Sequence, residues 1–239
     1  MHLTCAKGKP ALLASSESDR WLIVSDVHLG FANVSSYNDE DGLNQAAVLA
    51  TKLVDMGKQK RCNKLLLLGD IKHSIKSPTP LELKQIDLFF RILNKKFFIW
   101  VTLGNHDTGI QDVIGKRANV AGKEGIILED VLFCHGHSVP SRYLECKTIV
   151  MGHVHPHALS GGRVTPVWMI FRSLRKNLKP HRIIIVPHFN DELTLLNYSP
   201  GIPQDISPIL RNLDMINYKL QLLDLECRTI SIENSYSQS

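Results

Sequence analysis

The chain lacks the sequence features of membrane, secreted and disulfide-bonded proteins. No apolar run approaches the roughly 18 residues of a membrane span, and the N-terminus has no continuous apolar segment of the signal-peptide kind. The five cysteines are an odd number without C-x-x-C spacing, which argues against a disulfide framework and against a structural zinc site. Internal repeats and low-complexity tracts are also missing. We therefore expect a cytoplasmic protein without a membrane segment.

Acidic residues are absent between Cys146 and Asn190, a stretch that contains seven lysines and arginines. The whole chain has a formal net charge of +5, so the remainder sums to −2. The stretch could present a basic surface to a polyanion such as nucleic acid. It could equally be a solvated loop, because spacing alone does not show that these side chains share a face.

Length and apolar content predict one α/β domain over residues 1–239, since 239 residues with 44% hydrophobic content can bury a sizeable core. Helices are predicted from apolar spacing and proline positions over 44–60, 80–94 and 207–213. Strands are predicted at 11–14, 21–24, 64–68, 97–103, 131–134, 148–151, 164–170, 183–186 and 219–225. The segment 200–239 is expected to pack back on the domain, with residues 234–239 frayed.

Five of the strand-like runs stop at residues that bind metals. The motifs are Asp26-Val27-His28, Gly69-Asp70, Gly104-Asn105-His106-Asp107, His135-Gly136-His137 and Gly152-His153-Val154-His155. A single Asp after a strand and a glycine is more often a turn or helix-cap residue. Ligands in open α/β sheets bind beyond the carboxyl ends of the strands, however, so five such motifs together predict tips that converge on one site.

The residue types fit the cleavage of phosphate esters. Two divalent cations about 3.5–4 Å apart can neutralise a phosphodiester and hold its attacking and leaving oxygens. The motifs offer oxygen ligands at Asp26, Asp70 and Asn105 and nitrogen ligands at His28, His135, His153 and His155. Such a set without thiolates suits Mn, Fe, Zn or Ni rather than Ca. The sequence therefore predicts a dinuclear metallohydrolase.

The series DVH, GDIKH, GNHD, HGH and GHVH resembles the calcineurin-like metallophosphoesterases, over residues of about 20–157. Within that family the motifs are similar to the Icc-like branch, which includes DNA ligase-associated phosphoesterases. The resemblance implies an α/β fold built as a two-sheet β-sandwich flanked by helices.

The resemblance also implies a role for each matching residue. One metal ion would take Asp26, His28 and His155, the other would take Asn105, His135 and His153, and Asp70 would bridge both. A hydroxide held between the two ions, most often manganese, would attack phosphorus in line. His106 would stabilise the transition state or protonate the leaving oxygen, and Asp107 would orient His106.

Further polar residues flank the motifs. His73 is expected to hydrogen-bond beside the ligands rather than bind metal. His137 and Arg163 are expected to support the site or face substrate. His188 stands where similar proteins tend to have a small residue, and it either selects substrate or merely packs.

The prediction is a metal-dependent phosphodiesterase that acts on DNA, RNA or nucleotides, with DNA repair proteins as partners implied by the resemblance. Only 17 residues separate His135 from His153, which leaves no room for a large helical cap and predicts an open site. Two alternatives stay open. One is a phosphomonoesterase for a small phosphorylated metabolite, and the other is a non-catalytic metal-binding scaffold for a repair complex.

Overall fold

The computed structural model describes residues 1–31, 39–160, 163–195 and 207–230. Strands β1 to β6 span His2–Cys5, Leu12–Ser15, Arg20–Val24, Lys64–Leu68, Phe98–Thr102 and Asn119–Val120. They form one sheet in chain order, antiparallel from β1 to β3 and parallel from β3 to β6. In β4, Leu65 and Leu67 face the helices while Leu66 and Leu68 face the second sheet. This sheet is therefore buried on both faces.

The second sheet is built from the later strands. Strands β7 to β9 span Ile126–Leu128, Val131–Cys134 and Thr148–Met151, and β12 to β14 span Trp168–Ser173, Arg182–Ile185 and Tyr218–Leu223. Their order is β14-β12-β13-β9-β8-β7, with β13, β9 and β8 parallel. Strands β10 (His157–Ser160) and β11 (Arg163–Pro166) pair only with each other. Trp168 and Phe133 pack between the two sheets.

Helices cover the outer faces of the sandwich. Helices α1 (Asp39–Gln59) and α2 (Pro80–Leu93) pack on the first sheet, α3 (Ile110–Ile114) follows β5, and α4 (Pro208–Arg211) packs on the second sheet. Helix α2 begins with a capping box, in which Thr79 Oγ1 accepts from Glu82 N at 3.1 Å and the Glu82 carboxylate accepts from Thr79 N at 2.8 Å. This cap fixes the end of the loop that carries His73.

The predicted two-sheet sandwich flanked by helices is confirmed, and two of the predicted elements differ from the structure by more than two residues. Helix α1 begins at Asp39, five residues before the predicted start, because its polar first turn has no apolar periodicity. The predicted strand 164–170 is two strands, because β11 ends at Pro166 and β12 begins at Trp168 in a different sheet. Between them, Val167 N donates to Pro156 O at 2.9 Å.

The C-terminal segment joins the second sheet through β14, which pairs with β12 at the sheet edge as predicted for 219–225. Residues 234–239 lie outside the described residues, so their fraying and the extent of one domain to residue 239 stay predictions. No helix in the described ranges is both long enough and apolar enough to cross a membrane.

Candidate metal centre

The loops that follow β3, β4 and β5 of the first sheet and β8 and β9 of the second meet at one end of the sandwich. The Asp70 carboxylate lies among them, with Oδ2 at 3.2 Å from His135 Nε2, 3.5 Å from His28 Nε2 and 3.9 Å from His106 Nε2. Asn105 Oδ1 lies 3.3 Å from the same His135 nitrogen. One carboxylate oxygen thus lies close to imidazoles from three other strand ends.

Asp26 is a second buried carboxylate in the same place. Its Oδ1 is 3.1 Å from His155 Nε2 and 3.9 Å from His135 Nδ1. The carboxylate also accepts from the main-chain N–H of His153, at 3.2 and 3.3 Å. His135 Nδ1 donates to the Leu68 carbonyl at 2.7 Å, which leaves Nε2 as the ring atom that faces Asp70 and Asn105.

The donors fall into two adjacent groups that could each hold a metal ion. One group is Asp26, His28 and His155, and the other is Asp70, His135 and His153. The first group equals one ligand set that the resemblance implies, and the second contains His135 and His153 of the other set with Asp70 in place of Asn105, so the ligand roles themselves stay predictions. The Nε2 atoms of His28 and His155 are buried beside carboxylates without a hydrogen bond, so they are available to a cation. The residues therefore fit a pair of divalent ions.

Electrostatics also favour cations in this pocket. Burial lowers the pKa of His28 to about 3 and that of His153 to about 4, so both imidazoles are neutral at pH 7, as metal ligation requires. Burial alone would raise the pKa of Asp70 and of Asp26, but the surrounding imidazoles lower both, that of Asp70 to about 2. Although burial disfavours a charged His135, Asp70 and then Asp26 raise its pKa to about 9. Both carboxylates are ionised and attract positive charge.

The backbone at the predicted ligands is strained. Among the described residues, eight non-glycine residues have a positive φ, and five of these are predicted ligands. They are Asp26 (57°), His28 (45°), Asp70 (50°), His153 (69°) and His155 (46°). Such left-handed conformations cost about 1–3 kcal/mol each and concentrate at functional sites. The unusual backbone turns each side chain into the space between the strand ends.

Two motif glycines are required for close approach between loops. A Cβ at Gly104 would lie 2.0 Å from Asp70 Oδ1, and one at Gly152 would lie 1.6 Å from Ser25 Oγ. Gly69 has a close approach as well, but in addition its φ of 76° is left-handed, a conformation that favours glycine. The positive φ is thus a second reason for glycine at position 69, whereas Gly104 and Gly152 are needed because the loops touch.

His106 is held by its neighbours, but not by the residue we expected. Its Nδ1 is paired with the main-chain carbonyl oxygen of His73. The Asp107 carboxylate instead accepts main-chain N–H groups, from Ile71 at 2.8 Å and from Gly104 at 2.9 Å. The prediction that Asp107 orients the His106 ring is therefore wrong as a direct contact. Asp107 joins the backbones of two motif loops, because those amides offer it donors.

His73 lies beside the predicted ligands, as expected. Its ring centroid is 5.5 Å from that of His28, 5.6 Å from that of His106 and 4.8 Å from that of Phe31. His28, His73 and His106 also form a third group whose nitrogens could hold a cation. Burial lowers the pKa of His73, and its proximity to His106 adds to the effect.

The remaining flanking residues differ in position. His137 is half-buried, with its ring centroid 5.3 Å from that of His135. Arg163 is exposed on β11, and within the described part of the chain its side chain has no hydrogen bond or ion pair to the site. His188 is buried, with its ring centroid 5.6 Å from that of His155. His188 thus packs against a predicted ligand.

Strand direction places most of the basic stretch at the other end of the sandwich. Lys147 immediately precedes β9 and Arg182 begins β13, whereas the predicted ligands follow the far end of β9. Arg172 lies directly opposite Arg182 across the β12–β13 pair. Lys147 is itself paired with Asp130 at 3.1 Å. Lys147, Arg172 and Arg182 therefore lie away from the metal centre, and a polyanion-binding surface on this stretch stays a prediction.

Two residues that hold the site together were not anticipated from the sequence. The Ser25 hydroxyl donates to the Asp26 carboxylate and to the Leu68 carbonyl, the latter at 3.2 Å. The buried Lys72 ammonium donates to main-chain carbonyls that include that of His106. Both residues lie within two positions of a predicted ligand, and that proximity is the only sequence signal for them.

Comparison with known proteins gives a family and a fold. The family model described as calcineurin-like phosphoesterase matches residues 20–191. Among solved structures, the nuclease MPE of Pseudomonas putida is similar with a TM-score of 0.56 and 18% identity, over 94% of this chain and 98% of that one. At this identity the likeness shows the fold alone. No curated protein matches the chain.

Proposed function

This chain belongs to the calcineurin-like phosphoesterase family, and on that premise we propose that it is a metal-dependent phosphodiesterase of nucleic acids or nucleotides. The observation that carries the proposal is the position of Asp70 Oδ2. This oxygen lies within 3.5 Å of His28 from one candidate metal group and of His135 from the other. An oxygen so placed suits a ligand that bridges two cations.

We assign the ligands as two overlapping sets. One divalent ion takes Asp26, His28 and His155, the other takes Asn105, His135 and His153, and Asp70 is common to both. Manganese is the ion we expect, with iron, zinc or nickel as alternatives, because the donors are nitrogen and oxygen without thiolate. When bound, two such ions would neutralise the phosphate charge and lower the pKa of a water molecule enough to make it a nucleophile at neutral pH.

His106 is the residue we assign to the leaving group. Pairing of its Nδ1 with the His73 carbonyl directs Nε2 toward the Asp70 side of the site, 3.9 Å from Oδ2. The side chain is 18% exposed, so Nε2 is accessible to a substrate phosphate. From there it can hydrogen-bond a phosphoryl oxygen or give a proton to the departing alkoxide.

Two observations support an extended diester as the substrate. Between Asp107 and His153, a stretch that the structure describes throughout, the longest helix is the five-residue α3, so this interval contributes no large helical cap over the site. The P. putida protein with a similar fold is a nuclease. DNA repair proteins as partners rest on the motif resemblance alone, and a cytoplasmic location rests on composition alone.

The test of this proposal is a substrate panel with the manganese-loaded protein. It compares bis(p-nitrophenyl) phosphate, p-nitrophenyl phosphate, a 2′,3′-cyclic nucleotide, and single- and double-stranded DNA and RNA. We expect the diesters to be cleaved faster than the monoester. Faster cleavage of the monoester would favour a phosphomonoesterase, and two bound ions without hydrolysis of any substrate would favour a scaffold.

Two neighbouring variants then separate ligand from catalyst. Asn105→Ala should weaken metal binding, because it removes a ligand. His106→Ala should keep both ions while lowering turnover by roughly 10²- to 10⁴-fold, the range typical of a lost general acid. The loss should be smaller for bis(p-nitrophenyl) phosphate than for a dinucleotide, whose leaving alkoxide needs a proton. Loss of a metal ion from His106→Ala would contradict these roles.

A further inference from the structure

Lys72 is a fully buried lysine within the predicted active-site motif. It lies two residues after Asp70, and its relative exposure is 0%. Its ammonium donates to three main-chain carbonyls, those of Ser74, Lys76 (at 2.6 Å) and His106. Three acceptors satisfy all three N–H groups of the ammonium. A buried ammonium is costly without such partners, so the three bonds define one geometry.

These bonds connect two separate loops. Ser74 and Lys76 belong to the loop after β4, whereas His106 belongs to the loop after β5. Main-chain N–H groups of the first loop are bound by a different side chain, because the Glu82 carboxylate accepts from Ser74 N at 2.8 Å and from Thr79 N at 2.8 Å. Lys72 instead donates to main-chain carbonyls of that loop. Together with Asp70, whose Oδ1 accepts from His106 N, it ties the loop to the main chain of His106.

His106 is the residue on which these contacts converge. Its N–H donates to Asp70 Oδ1 at 2.9 Å, its Nδ1 is paired with the His73 carbonyl, and its own carbonyl accepts from Lys72. The first contact uses a predicted metal ligand and the second uses a backbone atom. The Lys72 contact is therefore the one that a substitution can remove without touching a ligand or the His106 ring.

We propose that Lys72 is a positioning residue, which holds the backbone of His106 so that its ring meets the leaving oxygen of the substrate. This inference rests on the proposed function of His106. A purely apolar side chain could fill the same volume, but it could not hold the His106 carbonyl at a fixed distance from the loop after β4. A displacement of about 1 Å at a catalytic group can lower turnover by about 10²-fold.

The test is a double-mutant cycle with Lys72→Met and His106→Ala in the manganese-loaded protein. The substrates are a dinucleotide and bis(p-nitrophenyl) phosphate, and kcat and KM are measured separately. Metal content and urea unfolding are measured for every variant. Lys76→Met is the matched control, because Lys76 contributes its carbonyl rather than its exposed side chain to the cluster.

We expect Lys72→Met alone to lower kcat on the dinucleotide by about 10- to 100-fold, with a smaller loss on bis(p-nitrophenyl) phosphate, little change in KM and both ions retained. In the His106→Ala background the same substitution should change kcat by less than about threefold, because residues that act as a unit are not additive. Lys76→Met should behave as the parent protein.

Three outcomes would overturn the inference or its premise. Equal losses from Lys72→Met in both backgrounds would show that Lys72 does not act through His106. A normal kcat for His106→Ala would instead remove the proposed function of His106, and that failure is visible before the cycle is completed. If Lys72→Met loses metal or unfolds, Lys72→Gln replaces it, and the same result there would make Lys72 a structural residue only.

Discussion

A methyl group at Gly104 is the smallest change that should disable the site. A Cβ there would lie 2.0 Å from Asp70 Oδ1 and 2.5 Å from Asp70 N, both far below the 3.4 Å at which ordinary contact begins. Rotation of the carboxylate can relieve the first clash, but the second involves backbone. The loop after β5 must then move by about 0.9 Å, the difference between 3.4 and 2.5 Å. That movement separates Asn105 and His106 from Asp70.

The size of the effect follows from this displacement. Overpacking of this kind costs about 1–3 kcal/mol in the free energy of unfolding. A displacement of about 1 Å at the reacting centre should lower kcat/KM for bis(p-nitrophenyl) phosphate by about 10²-fold. The bond from His106 N to Asp70 Oδ1, now 2.9 Å, should lengthen or break.

The assay compares Gly104→Ala with Gly122→Ala. Gly122 is the matched control, because an added Cβ there meets nothing within 4 Å and its φ is not in the left-handed region. Urea unfolding after metal removal with a chelator gives the free energy of unfolding of the metal-free proteins. This separates the cost of packing from any effect of lost metal. Gly104→Ala with kcat/KM within threefold of the Gly122→Ala value, and with equal stability, would refute the close approach of the two loops.

Other changes probe the metals, the cap and the charge distribution. Asp70→Asn should reduce bound manganese, measured by elemental analysis, below two ions per chain and lower diesterase activity by several orders of magnitude, because both ions lose a shared anionic ligand. Thr79→Ala removes the N-cap of α2 and should lower the urea-unfolding free energy by about 1 kcal/mol. The double substitution Arg172→Gln and Lys176→Gln should leave kcat/KM for bis(p-nitrophenyl) phosphate within twofold of the parent value. The reason is that Arg172 lies at the end of its strand that is far from the metal centre.

Sequence periodicity predicts the fold where elements are long or fully buried. The apolar runs at 64–68, 131–134 and 148–151 correspond to β4, β8 and β9 with the predicted boundaries. Shorter elements such as β6, with two residues, and α3, with five, contain too few positions to show a period. The division between β11 and β12 falls at Pro166, but apolar periodicity does not mark it, because the two strands differ chiefly in the strands that they pair with.

The composition of the site was predictable for a different reason. Side chains that follow parallel strands must emerge at one end of a sheet, so the order of the motifs is enough to group Asp26, Asp70 and Asn105. The contacts among those side chains depend on backbone conformation, which residue types do not record. This is why the pairing of His106 Nδ1 with the His73 carbonyl could not be predicted, since a main-chain carbonyl leaves no trace in the sequence. The position of the basic stretch could not be predicted either, because the end of the sheet at which it lies depends on strand direction.

The metal centre lies on the seam between the two sheets, and this position couples the site to the docking of the sheets. Asp26 and Asp70 follow strands of the first sheet, whereas His135 follows a strand of the second. A Cβ at Gly69 would lie 2.6 Å from His135 Nδ1, so the loops of the two sheets are in contact at the ligands themselves. Ionised carboxylates from the first sheet and imidazoles from both sheets meet at this seam and would attract divalent cations. Ions bound there would therefore stabilise only the docked form, since neither sheet alone carries a complete ligand set.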